Sequence, residues 1–345
     1  MFEDLLRRWD GEEAVIRFDA ASGAWIFVCI HSTALGPAGG GTRMRVYDTP
    51  GDGLADAMRL SQAMTQKMAV ANAGRGGGKA VLAVTELPTG DARRALLLRY
   101  GELVAALGGI YRTAGDMNIT PEDLDVVAER CPWVYGTSGG GGNSGFGTAR
   151  GVLHGIRASV EHVFGSPDLT GRTVLVQGAG AVGHDLVRFL SEAGANVLVT
   201  DVDDERARAT GAAVVPVLDA LGTECDVYAP CAVGGTLNAT SIPQLRCRIV
   251  AGSANNQLAE PEDAARLQEA GILYAPDYVI NAGGVLQLVG LEDRKLDPDA
   301  VERSFAGIGD TLRAIYRSAD EAGIAPAEAA EQLAARRVAA AVETT

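Results

Sequence analysis

Apolar positions along the chain fall into two periods, and these predict the elements. Residues 15–18 and 25–31 read as two strands around a turn at 20–23. Leu54, Met58, Leu60, Ala63, Met64 and Lys67 recur at helical spacing, which predicts a helix over 54–67. A helix is also predicted over 92–107, with Gly108 and Gly109 as its stop signal. Between these lie a glycine-rich stretch, 32–42, expected to be a loop with a short extended piece, and a tight loop at 73–78 leading into a strand at 80–84. A short strand at 109–113 precedes a loop at 116–120. Pro121 then opens a helix capped by Thr120.

Residues 137–147 hold a GGGG run and read as the junction between two domains, left by a helix at 148–163. Beyond it, short apolar runs at 173–177, 196–201, 213–216, 227–229, 249–251 and 273–275 alternate with helices. That alternation favours a mainly parallel sheet covered on both faces. After Gly290 the pattern turns helical, over 299–320 and 326–342, and these helices are expected to fold back on the first domain.

A chain of 345 residues fits two domains, and 47% apolar residues supply their cores. The 44 glycines show no collagen period and read as turns and close backbone approaches. A net charge of −14 without a dense Lys/Arg run argues against a nucleic-acid partner. Five cysteines without a CxxC pair suggest neither a disulfide scaffold nor a metal site. They read as buried thiols of a cytoplasmic protein. The start, MFEDLLRRWDGEE, lacks an apolar core and a cleavage site, so no signal peptide is expected. No charge-free apolar stretch is long enough to span a bilayer, so no membrane partner is expected.

The most specific local motif is TVLVQGAGAVG, followed by VLVTD. Gly178, Gly180 and Gly183, with Ala181 and Val182 between the last two, form GxGxxG directly after an apolar strand. Asp201 ends the next strand, 18 residues after Gly183. Gly178 permits the tight turn, Gly180 lets a pyrophosphate approach a helix N-terminus, and Gly183 lets helix and strand close together. Asp201 can accept from ribose hydroxyls and repels a 2′-phosphate, which points to NAD rather than NADP. The neighbouring Asp203 and Asp204 read as a solvated helix start.

Lys67, in MTQKMAV, and Lys79, after GRGGG, lie beside glycine and methionine rather than in mixed charged sequence. Most lysines are surface groups, and Asp116 alone could be a loop or capping residue. Together, two lysines and one carboxylate could serve an amino-acid dehydrogenase. One ammonium would pair with the substrate carboxylate. The other, desolvated, would polarise the C2 oxygen, while the carboxylate moves protons. A hydroxy-acid dehydrogenase would want an imidazole base, and His31, His154, His162 and His184 occupy no such motif. A catalytically silent NAD-binding regulator need not keep both lysines and the aspartate.

The segments LGPAGGGTRM, MTQKMAV, GRGGGKAVL, AGDMN, QGAGAVG, APCAVGG, AGSANNQL and APDYVINAGG run collinearly from Leu35 to Gly284. They resemble the glutamate/leucine/phenylalanine/valine dehydrogenase family, most of all its phenylalanine and branched-chain members. The resemblance implies an α/β fold: an N-terminal mixed-sheet domain for substrate and oligomerisation over 1–145, and an NAD-binding Rossmann domain over 146–290. C-terminal helices over 291–345 return to the first domain. It implies Lys79 and Asp116 as catalytic groups and Lys67 as the ligand of the substrate carboxylate. Gly40 and Gly41 lie beside the substrate, Asn281 near its amino group, Thr148 near the nicotinamide amide and Asn256 on its ribose side.

The implied reaction is reversible oxidative deamination, with NAD as cofactor, an amino acid, a 2-oxo acid and ammonia as partners, and a homo-oligomer as the assembly. Gly39 stands where many relatives carry leucine. The space this opens, with Val285 and Leu288 as an apolar wall, predicts L-phenylalanine over L-valine, with leucine or valine as the alternative. Relatives also often differ at Ala114 and Gly115, and at Gln66. Glutamate would need a cation for its side-chain carboxylate, and Gly39, Val285 and Leu288 offer none, although Arg43 and Arg75 are near these motifs in sequence.

Overall fold

Strand propensity and glycine spacing combine early in the chain to give a five-stranded sheet. The computed structural model describes residues 2–141 and 144–344. Gly142 and Asn143, inside the predicted interdomain junction, lie outside the described residues. A first helix, α1 (Phe2–Trp9), leads into β1 (Glu13–Asp19) and β2 (Ala24–Ser32). Then follow β3 (Ala38–Val46), α2 (Pro50–Val70), β4 (Gly76–Val84), α3 (Gly90–Ala106), β5 (Tyr111–Gly115) and α4 (Pro121–Ala128). The strand order is β1-β2-β4-β3-β5. β2 pairs antiparallel with β1 and β4, whereas β3 runs parallel to both β4 and β5.

Two glycine-rich stretches, one expected to be a loop with a short extended piece and one a tight loop, contribute strand residues to this sheet. β3 begins at Ala38 and takes up the last five residues of 32–42, and β4 begins at Gly76, inside the expected 73–78 loop. The cause is close packing. A Cβ at Gly40 would lie 1.7 Å from the Gly78 carbonyl oxygen, and one at Gly77 would lie 2.1 Å from the Thr65 nitrogen. Residues that favour strands are excluded where backbones approach this closely.

Side-chain alternation splits the sheet between two cores. One face packs Ala80, Leu82, Met44 and Tyr111 against Leu96, Tyr100 and Leu124. The other packs Phe27, Cys29, Val81 and Ala83 against Leu54, Ala57 and Met58 of α2. Both α2 and α4 start with a capping box and proline: Thr49 with Asp52, and Thr120 with Asp123.

The second unit begins with α5 (Ser144–Phe164) and continues as β6 (Thr173–Gln177), α6 (Ala181–Glu192), β7 (Asn196–Thr200), α7 (Asp204–Ala209), β8 (Ala213–Val214) and β9 (Val227–Pro230). It is completed by β10 (Ile249–Val250), α8 (Asp263–Glu269), β11 (Leu273–Tyr274), α9 (Asp277–Ile280), α10 (Gly283–Leu288) and α11 (Pro298–Ala322). The six strands are all parallel, in the order β11-β10-β9-β6-β7-β8. Counted from β6 this is the doubly wound order of dinucleotide-binding folds, with its switch point between β6 and β9.

The chain divides into Met1–Gly142, Glu292–Arg294 and Ala334–Thr345 on one side, and Asn143–Leu291 and Lys295–Leu333 on the other. The C-terminal return is thus shared out. α11 buries Phe305, Ile308, Leu312 and Tyr316 and packs with α5 in the second unit. The last half of α12 (Pro326–Thr344) joins the first unit, where Arg337 Nη1 donates to the carbonyls of Ala69 and Val70 at 2.9 and 2.8 Å. Asp293 is held in the first unit by Arg75, Tyr135 and Arg112. No helix among the described residues is long and apolar enough to cross a membrane.

Candidate active site

β3, β4 and β5 lie side by side and in parallel, so residues far apart in sequence meet on one sheet face. Thr42 is level with Ala80 on one side and Gly115 on the other. That register sets Arg43, one residue on, beside Asp116, while Lys79 lies one residue back on β4. Lys79 shares its face with Gly77, Val81 and Ala83, the face covered by α2.

The Lys79 ammonium donates to Asp116 Oδ2 at 2.6 Å from a side chain only 8% exposed. Arg43 Nε donates to the same oxygen at 3.1 Å. Burial pulls the Lys79 pKa below the ordinary lysine value, although Asp116 works against the shift. Burial would raise the Asp116 carboxyl, but Lys79 and Arg43 outweigh it and hold the group below the ordinary carboxylate range. The result is a desolvated ammonium on a carboxylate kept charged, a pair suited to polarising an oxygen and moving a proton.

Lys67 lies in the last turn of α2, half-buried. Gly39 and Gly41 belong to the α2-facing side of β3, and Gly40 to the other. Tyr111 Oη donates to the Gly40 carbonyl at 2.7 Å. A Cβ at Gly41 would stand 2.5 Å from the Gly115 carbonyl oxygen and 3.0 Å from the Asp116 Cβ, so only glycine fits there. Beside Gly39 lies one side chain: a Cβ there would stand 3.0 Å from Met68 Cε. Met68 is itself 3% exposed. Sequence reading missed this, because Met68 and Gly39 meet only through the crossing of α2 over β3.

Neither arginine that could have served a side-chain carboxylate is available for one. Arg43 is committed to Asp116 and to Asp56, whose Oδ2 accepts from Nη1 at 2.9 Å. Arg75 is paired with Asp293.

In the second unit, a cavity of about 360 Å³ opens at the sheet's switch point. Gln177, Gly178, Thr200, Asp201, Val217 and Thr236 are among its lining residues. Gly178 has φ +100°, and a Cβ on it would lie 2.8 Å from Ala232. A Cβ on Gly183 would lie 1.9 Å from the Gly178 carbonyl, whereas Gly180, at the α6 N-terminus, faces open space. Ala181 and Val182 form the first turn of α6, which carries no acidic residue. The side-chain oxygens of Gln177, Thr200 and Thr236 are buried in the lining without a hydrogen-bond partner. Buried polar atoms of this kind want a ligand, and a dinucleotide fits. Asp201 accepts from the backbone nitrogens of Ala179 at 2.7 Å and Asp203 at 2.9 Å, which fixes its carboxylate at the cavity wall. Asp203 caps α7, as a helix start should.

Thr148 and Asn281 lie in the same unit. The Thr148 hydroxyl donates to the Ser144 carbonyl at 2.9 Å. Asn281 Nδ2 donates to Ser253 O at 3.2 Å and Asn255 Oδ1 at 2.8 Å, leaving Oδ1 buried and unpartnered. Asn256 is exposed, with φ +50°, and its carbonyl accepts from Gly235 at 2.7 Å. On α10, Val285 and Leu288 are the half-exposed positions among buried neighbours and share one helix face. Among the described residues, no group of His, Cys, Asp or Glu is placed to hold a metal ion.

Residues 19–138 match the family description "Glu/Leu/Phe/Val dehydrogenase, dimerisation domain", and residues 199–345 match "Glutamate/Leucine/Phenylalanine/Valine dehydrogenase". A valine dehydrogenase of Streptomyces virginiae is 46% identical over 341 residues, covering 95% of this chain and 93% of that protein. A leucine dehydrogenase of Geobacillus stearothermophilus is 39% identical over 340 residues, covering 96% of this chain and 92% of that one. The crystal structure of an L-tryptophan dehydrogenase from Nostoc punctiforme superposes with a TM-score of 0.88 at 37% identity, over 99% of this chain and 100% of that one.

Proposed function

Since the chain belongs to the glutamate/leucine/phenylalanine/valine dehydrogenase family, we propose that its substrate is a branched-chain L-amino acid, with valine and leucine ahead of phenylalanine. The protein is an NAD-dependent amino-acid dehydrogenase that oxidatively deaminates an amino acid to its 2-oxo acid and ammonia. The branched-chain reading is supported by a contact beside Gly39, where a Cβ would meet Met68 Cε at 3.0 Å. The expected preference for phenylalanine presumed that space to be open. Valine and leucine dehydrogenases at 46% and 39% identity support the same choice. Glutamate is disfavoured by the engagement of Arg43 and Arg75 elsewhere.

The proposed roles follow from charge and burial. Lys67 pairs with the substrate carboxylate. NAD held by the second unit would supply the hydride acceptor for C2 of the amino acid. Lys79 donates to the C2 oxygen of the carbinolamine and the oxo acid. Asp116 takes a proton from the water that adds to the imine and returns it to the leaving amine. Gly40 and Gly41 admit the substrate backbone. Val285 and Leu288 present apolar surface to its side chain, and Asn281 Oδ1 is an acceptor suited to its amino group. Gly178, Gly180, Ala181, Val182 and Gly183 take the pyrophosphate, Asp201 the adenosine ribose, and Thr148 and Asn256 the nicotinamide end. A homo-oligomer built through the first unit accords with the description of its matched segment.

Initial rates of NAD reduction with L-valine, L-leucine, L-phenylalanine, L-tryptophan and L-glutamate test this reading. Higher kcat/KM for valine or leucine supports it. Higher kcat/KM for either aromatic substrate refutes it.

A further inference from the structure

We propose that Arg43 is a positioning residue for the reaction: it holds Asp116 Oδ2 in place opposite the Lys79 ammonium. The inference rests on the catalytic reading of that pair given above.

Asp116 sits on a loop just past the end of β5, so the strand ladder alone does not fix it. Lys79 cannot be its permanent anchor, because the same ammonium must turn to the substrate oxygen during turnover. Arg43 can. Its guanidinium has a rigid fork: Nε meets Asp116 at 3.1 Å while Nη1 meets Asp56 Oδ2 at 2.9 Å. Asp56 is fixed in turn by Tyr47 Oη at 2.8 Å and by Arg59 at 2.7 Å. The chain of contacts ties the base to α2, a 21-residue helix. The Arg43 and Asp56 side chains are 15% and 13% exposed, so water competes little for these bonds.

The electrostatic consequence has one sign. Arg43 disfavours the protonated form of Lys79 and favours the ionised form of Asp116, so it lowers the pKa of both. The pair titrates as a unit, and removing the guanidinium charge moves its apparent pKa values upward whichever group carries the proton. The charged and titratable groups around the pair are Arg43 on β3 and, linked through it, Asp56 and Arg59 on α2 and Tyr47 beyond β3. Of these, Arg43 donates to Asp116 Oδ2, the same oxygen that takes the Lys79 ammonium.

The test compares wild type, Arg43→Gln, Arg43→Lys and Asp56→Asn across pH, with NADH binding by fluorescence to count folded sites. Arg43→Gln should lower kcat at least about tenfold while KM for the amino acid changes less, because the lost contact positions a proton-transfer group. The apparent pKa values of its kcat profile should rise. Arg43→Lys keeps the charge, so it should restore the wild-type profile while recovering only part of kcat. Asp56→Asn, a smaller change, should lower kcat in the same direction and serves if Arg43→Gln is insoluble. An unchanged pH profile in folded Arg43→Gln overturns the proposal, as does a loss confined to KM. Asp116→Asn measured alongside separates the failures. If that variant keeps wild-type activity, the catalytic reading of the pair falls. If it is inactive while Arg43→Gln behaves as wild type, only the role of Arg43 falls.

Discussion

Lys79 and Asp116 meet at 2.6 Å although 37 residues separate them, and the lysine is the more buried of the two. The asymmetry suits their proposed tasks. A nearly dry ammonium is poised to donate to a substrate oxygen, and a carboxylate with 27% of its side chain exposed can exchange a proton with water or substrate. The arrangement depends on two parallel pairings, β3 with β4 and β3 with β5.

Lys79→Ala and Asp116→Asn should each lower kcat by about 10²–10⁴-fold, the usual reach of general acid–base groups. Both should leave NADH affinity nearly unchanged, since their residues lie in a unit that does not contain the dinucleotide cavity. Lys67→Ala should act mainly through KM for the amino acid. Steady-state kinetics with fluorescence titration of NADH separate these outcomes, and wild-type turnover in a folded Asp116→Asn protein would rule out its proton-transfer role.

Asp123 should govern acid stability near the site. It accepts from Arg93 Nε at 2.7 Å, from Arg93 Nη2 at 2.6 Å and from the Thr120 backbone at 2.8 Å. Arg93 also ties down the Asn118 carbonyl at 2.6 Å, within the loop that carries Asp116. Burial acts to raise the Asp123 pKa, but Arg93 and Thr120 hold it below the ordinary range. A carboxyl depressed in the folded state stabilises fully above its unfolded pKa of about 3.9, and that stability is lost as pH falls through the folded value. Asp123→Asn should therefore cost about 2 kcal/mol near neutral pH. Its deficit relative to wild type should shrink below about pH 4 in urea titrations. A deficit independent of pH would show that the charge is not what matters.

The second unit was largely legible because its signals are local. Each apolar run, turn glycine and capping aspartate from Thr173 to Asp204 lies within one strand-turn-helix repeat. The first unit was not. Gly39, Gly40, Gly76 and Gly77 have no strand propensity, and they are strand residues only because neighbouring backbone leaves no room for a side chain. The bracket from Arg43 through Asp56 was invisible for another reason: it joins positions 13 and 73 residues from Arg43 through tertiary pairing alone. Lys79 and Asp116 stand out by their surroundings, a lysine after a glycine run and an aspartate in a glycine-bearing loop, and by motifs that resemble a known family; periodicity marks neither. The helix over 298–322 was expected against the first unit. Its apolar stripe carries no label for its partner, and it packs on α5.

Asp201 should control cofactor choice. Wild type should prefer NAD to NADP, and Asp201→Ser should raise the NADP-to-NAD ratio of kcat/KM by about tenfold or more, equivalent to about 1.4 kcal/mol. Serine removes the charge that would repel a 2′-phosphate, and it leaves Arg206, whose Nη1 is 3.9 Å from Asp201 Oδ2, without that carboxylate nearby. The same change removes the acceptor for the Ala179 N–H, so affinity for NAD should fall as well. An unchanged ratio would mean that Asp201 shapes the loop without contacting the ribose.

The contact between Gly39 and Met68 should set side-chain size. Glycine at this position opens a pocket only if nothing else enters it, and Met68 Cε lies 3.0 Å from where a Cβ would stand. A thioether side chain adapts readily to gaps of this kind. It can therefore supply the apolar wall that leucine supplies in many relatives, and a branched side chain meets a filled surface. On the proposed branched-chain reading, an isopropyl or isobutyl group would gain contacts there at about 0.8 kcal/mol per buried methylene equivalent, and a larger ring would have to displace the methionine. Met68→Ala should reverse the balance. The kcat/KM ratio of L-phenylalanine to L-valine should rise by about tenfold or more, within the range by which hydrophobic pockets discriminate size. Some stability should be lost too, about 2–5 kcal/mol for a buried Met→Ala change, so activity must be read per folded site. Gly39→Leu makes the opposite test. Its side chain competes with Met68 for one space, so it should lower activity on every substrate, whereas Gly39→Leu combined with Met68→Ala should recover a valine preference. If Met68→Ala lowers valine and phenylalanine turnover equally, the methionine packs behind Gly39 without shaping the pocket, and the branched-chain preference must come from Val285 and Leu288 instead.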